Sequence, residues 1–428
     1  MAQETAALSR SAAISFQWII DKKNDLVWYI GSALGGWGYA GLVLLAVAVL
    51  TNPLKDAFGV ITIGGVQIPL TLQLLVYSSW AFLLDAPHVW ATLARTFLDP
   101  EERRLRRREL MISWLWFLVS PACILAPYLY NLVAPESARL PASLLGLGAL
   151  LFTVFFRLWA YYHVVRQHWG FYVLYQRKNA DADPVSNRVD FWFFNVALYA
   201  PLVMFLTGPL FDKTPGIPDV GLNRIMLGGF NISAAINTLS WALFSVAVLG
   251  YLAFQIRLWR QGQTLNGPKL LFLLSIVPLH LAVFNNPWLA ALMVPIVTIG
   301  HNLQYHRIVW MFGQNKYQRP ESNSRFRTAS AVFSHAGIYF ATGLLFTFAL
   351  YRGPWIDWVK GAVGMGLNDS FLLGVGMMAG LADPTTMNLG QQLFGGFLVG
   401  WAMQHYYLDS KIWRVRTDRT VARQLRVE

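Results

Sequence analysis

The sequence predicts an all-α fold, a polytopic transmembrane helical bundle of about ten spans with both termini in the cytoplasm. Three observations predict it. The 428 residues are 55% hydrophobic and only 13% charged. Apolar stretches recur, each near the roughly 20 residues needed to cross a bilayer as a helix. Finally, most of the 34 Lys and Arg fall on one side if the first span starts in the cytoplasm. Only Lys55, Arg139, Lys213, Arg224, Arg352 and Lys360 then lie opposite, and Arg157 sits inside the fourth span. That asymmetry is the positive-inside pattern, and it accounts for the net charge of +12 without a nucleic-acid partner.

The elements follow in order. Residues 1–25 form an N-terminal interfacial segment, because the short run Ala12–Ile20 is followed by Asp21-Lys22-Lys23 rather than by a cleavage site. Residues 26–408 form the bundle, with spans expected at 26–50, 70–94, 111–133, 141–175, 190–210, 233–256, 268–286, 288–311, 327–351 and 386–408. Residues 409–428 are a basic cytoplasmic tail. The fourth span is too long for a simple crossing and should project past the interface. The Gly-rich stretch 355–383 reads as re-entrant or interfacial. The run Glu101 to Arg108 reads as a topogenic basic loop.

Several familiar motifs are excluded by context. Gly36-Trp-Gly38-Tyr-Ala-Gly41 matches a dinucleotide-binding fingerprint but lies inside a membrane span. Close helix packing explains it better, as it does Gly396 and Gly400. No span holds a Glu, which excludes a ferritin-like carboxylate site. The single cysteine, Cys123, rules out disulfide frameworks and thiolate clusters.

The eight histidines carry the functional signal. His88, His163, His168, His301, His306 and His405 fall near the cytoplasmic ends of expected spans, and His335 near the start of the ninth. His280 lies deeper, on the far half of the membrane, and is assigned a separate structural or pathway role. One interfacial histidine is usually a hydrogen-bonding residue facing a neighbouring helix. Seven at similar depth on five helices point instead to a metal centre, with a histidine-lined proton or ion path as the rival.

Spacing adds detail. Residues at i and i+5 are about 140° apart on an ideal helix. His163 and His168 therefore share a metal only if the helix bulges there, and the same holds for His301 and His306. Pro295 is a candidate kink upstream of the latter pair. Asp85 and His88, and His405 and Asp409, can each share a face. Both Asp residues are candidate ligands or imidazole partners. Gln167, Gln304, Gln404 and Tyr305 are candidates for supporting hydrogen bonds, with plain helix-to-helix bonding as the alternative. Trp169, Tyr161, Tyr162 and Tyr406 are candidates to line a substrate cavity.

Many imidazoles, one or two carboxylates and no thiolate suit iron, zinc, copper or nickel by donor type. Non-haem iron, as one or two ions, is the first choice because open positions beside histidine ligands activate dioxygen. Zinc and a bis-histidine haem are the rivals. The H-x4-H pairs His163/His168 and His301/His306 resemble the histidine-rich membrane non-haem iron oxygenases, the desaturases and hydroxylases, although no H-x-x-H-H motif is present. Pro87-His88, His301/His306 and His405/Asp409 are also loosely similar to motifs of the Brp/Blh-type carotenoid dioxygenases. These resemblances imply an iron-dependent reaction of O2 with a lipid-like or isoprenoid substrate. The setting would be a bacterial inner membrane, with electrons from a separate donor if any are needed. A metal-ion or proton-coupled transporter and a b-type haem protein are the alternative functions.

Overall fold

The computed structural model describes residues 13–50, 56–63, 66–181, 183–215, 221–319, 325–351 and 389–427. The expected re-entrant stretch 355–383 lies outside the described residues. The chain is almost wholly helical, as expected, with short two-stranded pairs as its only sheet among the described residues. The helices used below are α1 (Lys22–Val49), α2 (Leu72–Trp80), α3 (Ala86–Thr96), α4 (Arg107–Val133), α5 (Leu147–Lys178), α6 (Pro184–Thr207), α7 (Ile232–Arg260), α8 (Gly267–Phe284), α9 (Met293–Tyr317), α10 (Ala336–Phe346) and α11 (Leu389–Ile412).

Among the described residues, six helices are long and apolar enough to cross a membrane: α1, α4, α5, α6, α7 and α8. The other four expected spans are helical over much of their length but fall short of that standard. A π-helical turn, Ala81–Asp85, divides the second into α2 and α3. In α9 the polar run His301-Asn302-Leu303-Gln304-Tyr305-His306-Arg307 dilutes the apolar stretch. The expected N-terminal interfacial segment is not helical over residues 13–20. Ile14–Ser15 is extended and pairs in parallel with Leu265–Asn266, while the Asp25 carboxylate accepts from the backbone of Ile19 and Ile20.

The chain divides into two compact units. One comprises Met1–Pro53 and Val165–His301, the other Leu54–Val164 and Asn302–Arg426. The division runs through α5 and α9, which are continuous helices.

In the first unit, α6 and α7 pack along their lengths, with Phe193 stacked on Tyr251 at 3.9 Å. Gly36 explains part of the glycine pattern in α1. A Cβ there would lie 2.5 Å from the Ile296 carbonyl oxygen, whereas Gly38 and Gly41 have nothing within 4 Å. Only the first glycine of the motif is a packing residue.

In the second unit, α4 and α11 pack closely because α11 presents small residues. A Cβ at Gly396 would meet Ser120, and one at Gly400 would meet Phe117. An apolar cluster of Ala86, Val89, Leu93, Phe152, Phe156, Val399, Ala402 and Met403 fills the space beside them.

Candidate metal centre

The local structure before His88 originates in its own sequence. Pro87 has no N–H to give to the preceding turn, so the helix relaxes into the wider π turn Ala81–Asp85 and resumes as α3. His88 then lies in the first turn of α3 and is 2% exposed. Thr92 follows one turn later on the same face. In α11, His405 and Asp409 are likewise one turn apart, and both point inward.

Three imidazoles of the second unit come together: His88, His163 and His405 are all buried, with one ligand atom of each within 4.8 Å of the others. Ring centroids of His88 and His405 are 4.3 Å apart, and those of His163 and His405 are 4.9 Å apart. Asp409 adds a carboxylate edge, with Oδ2 3.7 Å from His405 Nε2 and 3.9 Å from His163 Nε2. Nitrogens about 2.1 Å from one tetrahedral ion lie about 3.4 Å apart. The group therefore reaches coordination distances when its side chains draw in by about an ångström.

Hydrogen bonding sets the tautomer of His405. Thr92 Oγ1 is 2.7 Å from His405 Nδ1, 2.9 Å from Asp409 Oδ1 and 2.5 Å from the Tyr305 hydroxyl. Tyr305 itself donates to Asp409 Oδ1 at 2.5 Å. The carboxylate is the strongest acceptor of these groups and draws both hydroxyl protons. Thr92 then has only lone pairs for His405, whose Nδ1 must carry the proton. That leaves a bare lone pair on His405 Nε2, which makes no hydrogen bond and is fully buried. An imidazole oriented through its other nitrogen is the usual support for a metal ligand.

A buried arginine braces this network. The Arg95 guanidinium lies between the rings of Phe312 at 4.2 Å and Trp413 at 3.8 Å. Its Nη2 donates to the Ile412 carbonyl at 2.9 Å. Trp413 Nε1 in turn donates to the Tyr305 hydroxyl at 3.3 Å. Thr92, Arg95 and Trp413 were not among the residues singled out from sequence. The only available signal was that Thr92 and Arg95 continue the inward face begun by His88.

The remaining sequence candidates fall into three groups. His168 and His306 are buried but outside this group, and His301 is buried on α9 as the last residue of the first unit. The His168 ring lies 5.9 Å from His280 and 6.2 Å from His301. His306 Nδ1 meets the Tyr339 hydroxyl at 3.0 Å. His335 is exposed and caps α10, its Nδ1 accepting from the Gly337 amide at 3.0 Å. Asp85 is half-buried at the end of the π turn. Gln167 donates to the His301 carbonyl at 2.8 Å and Gln404 to Ser113 Oγ at 3.0 Å, so both make helix-to-helix bonds. Gln304 is buried on α9. Tyr406 stacks on His163 at 4.4 Å, and Tyr161 is buried. Trp169 packs on Tyr172 and Phe194, and Tyr162 is exposed.

Neither α5 nor α9 bulges. Both are uninterrupted α-helices through their histidine pairs. His163 and His168 consequently point to different surroundings, as 140° of rotation requires. Pro295 produces no kink, because it sits in the first turn of α9, where its missing N–H breaks no helical bond.

The donor set of the second unit fits a divalent transition metal: three nitrogens and a carboxylate edge, all buried, with one imidazole held in the metal-binding tautomer. Compared with known proteins, the chain matches no family model, no curated protein and no solved structure.

Proposed function

We propose that this chain is an integral-membrane metal-dependent oxidoreductase that binds non-haem iron through His88, His163 and His405. On this reading it uses O2 to oxidise or cleave a lipid-like or isoprenoid substrate. The observation that carries it is the buried group of these three histidines with Asp409 at its edge. Iron in such a nitrogen-rich site with open positions supplies dioxygen activation.

The protein's own residues supply the rest. Thr92 and Tyr305 hold Asp409 Oδ1, which leaves Oδ2 facing the histidines. Aromatic side chains exclude water on one side: Tyr406 covers His163, and Phe156 and Trp159 pack against Tyr406. That apolar wall suits a hydrocarbon substrate better than a polar one. The geometry argues against haem, since His405 fills the space between His88 and His163 that a porphyrin plane would need.

Metal analysis of protein purified without a metal-affinity step tests the reading. Iron near one or two ions per chain in the native protein is expected, and its loss in His405→Ala and His163→Ala. O2 uptake by the iron-loaded protein should then rise when an isoprenoid is added to the membrane. Zinc in place of iron would end the oxygen reading, and a metal-free native protein would end both.

A further inference from the structure

The first unit holds a second feature, independent of the metal centre: a cavity of about 1040 Å³ where the ends of α5, α6, α7 and α8 meet. Its walls are built rather than loose. Asn179 exchanges hydrogen bonds with the backbone of Gln17, and Asn266 donates to the Tyr175 carbonyl. Asp183 caps α6 through the Ser186 amide. Lys269, 3% exposed, is held between Asp181 at 2.5 Å and Asp190 at 2.9 Å. The lysine is therefore already neutralised by the protein.

Among the lining groups, three set the chemistry of a ligand. Gln255 is 7% exposed, and its Nε2 has no hydrogen-bond partner, a donor that calls for an acceptor. Arg260 is an exposed cation at the end of α7, and Asp183 is an exposed anion at the start of α6 whose helix cap uses only Oδ2. Cation, amide donor and anion together complement a zwitterion that carries a phosphate and an ammonium group.

Position identifies the source. The cavity lies at the ends of four helices that are each long and apolar enough to cross a membrane. The outer face of α7 leads to it through Leu249, Leu252, Ile256 and Trp259, each half exposed or more. Acyl chains can lie along that face while the headgroup enters the cavity. We propose that this cavity binds the headgroup of a zwitterionic phospholipid of the phosphoethanolamine type, its phosphate on Gln255 and Arg260 and its ammonium toward Asp183.

Native mass spectrometry of the full-length protein in mild detergent tests this, with dioleoyl-phosphatidylethanolamine, dioleoyl-phosphatidylglycerol and free phosphoethanolamine as probes. The ethanolamine lipid should be retained about tenfold more tightly than the glycerol lipid. Gln255→Leu and Arg260→Gln should each weaken its retention about tenfold. Arg103→Gln, on the short helix Pro100–Leu105 of the other unit, should leave it unchanged. Because Arg260 is exposed, its variant keeps the fold even where Gln255→Leu does not. Equal retention in the native protein and the Arg260 variant would overturn the site. Equal binding of the glycerol lipid would overturn the zwitterion, and equal binding of free phosphoethanolamine would overturn the lipid.

Discussion

Thr92 Oγ1 lies 2.7 Å from Nδ1 of His405, across 313 residues of sequence. The contact ties a threonine on α3 to a histidine on α11 and fixes which ring nitrogen faces the other imidazoles. Thr92→Val keeps the shape and removes the hydroxyl, so the His405 ring loses its orienting partner. Metal affinity should fall about 10- to 100-fold, and Thr92→Ser should restore most of it. Competition with a chromophoric chelator measures both.

His163 and His168 provide a sharper test, because they are neighbours on α5 with different surroundings. His163→Ala removes a member of the histidine group of the second unit and should abolish stoichiometric metal binding. His168→Ala and His335→Ala should retain it, the first because its ring faces His280, the second because it caps α10. Elemental analysis of the three purified variants decides the matter. Metal loss in His335→Ala would show that this group is not the binding unit.

Metal removal should destabilise the protein in proportion to the bound fraction. A ligand present at 100 times its dissociation constant adds about 2.7 kcal/mol to the native state. Chelator treatment should therefore lower the thermal midpoint of the native protein. It should leave the midpoint of His405→Ala unchanged, because nothing remains to be removed.

Lys269 should be the least replaceable cation in the first unit. Its ammonium separates two carboxylates, of which Asp190 is fully buried. Lys269→Met leaves an uncompensated buried charge and should cost about 3–5 kcal/mol. Adding Asp190→Leu should recover part of that loss. Thermal unfolding in detergent reads both, and a neutral single variant would disprove the buried-charge account.

Glycines in α1 should divide by their surroundings. Gly36→Ala drives a Cβ to 2.5 Å from the Ile296 carbonyl oxygen and 2.6 Å from Leu279. Overpacking of that kind costs about 1–3 kcal/mol. Gly41→Ala enters open space and should be neutral or slightly stabilising. The same thermal assay separates the two.

Properties local to each helix were legible in the sequence. Apolar length marked the six long helices, because crossing a bilayer requires about 20 apolar residues whatever the neighbours are. Helical rotation separated His163 from His168, because 100° per residue is a property of the backbone alone. Six of the seven histidines grouped from the sequence are buried, since polar groups are costly in apolar helices unless they meet partners, while His335 is exposed.

What the tertiary structure alone decided was which of those partners meet. His88, His163 and His405 lie on three helices, and their convergence depends on how each helix is rotated and placed against the others. No local pattern encodes that, so His306 and His335 looked equivalent to His405 until packing separated them. The brace of Arg95 between Phe312 and Trp413 and the role of Thr92 belong to the same category. Each depends on contacts between residues far apart in the chain, and only side-chain packing across helices determines them.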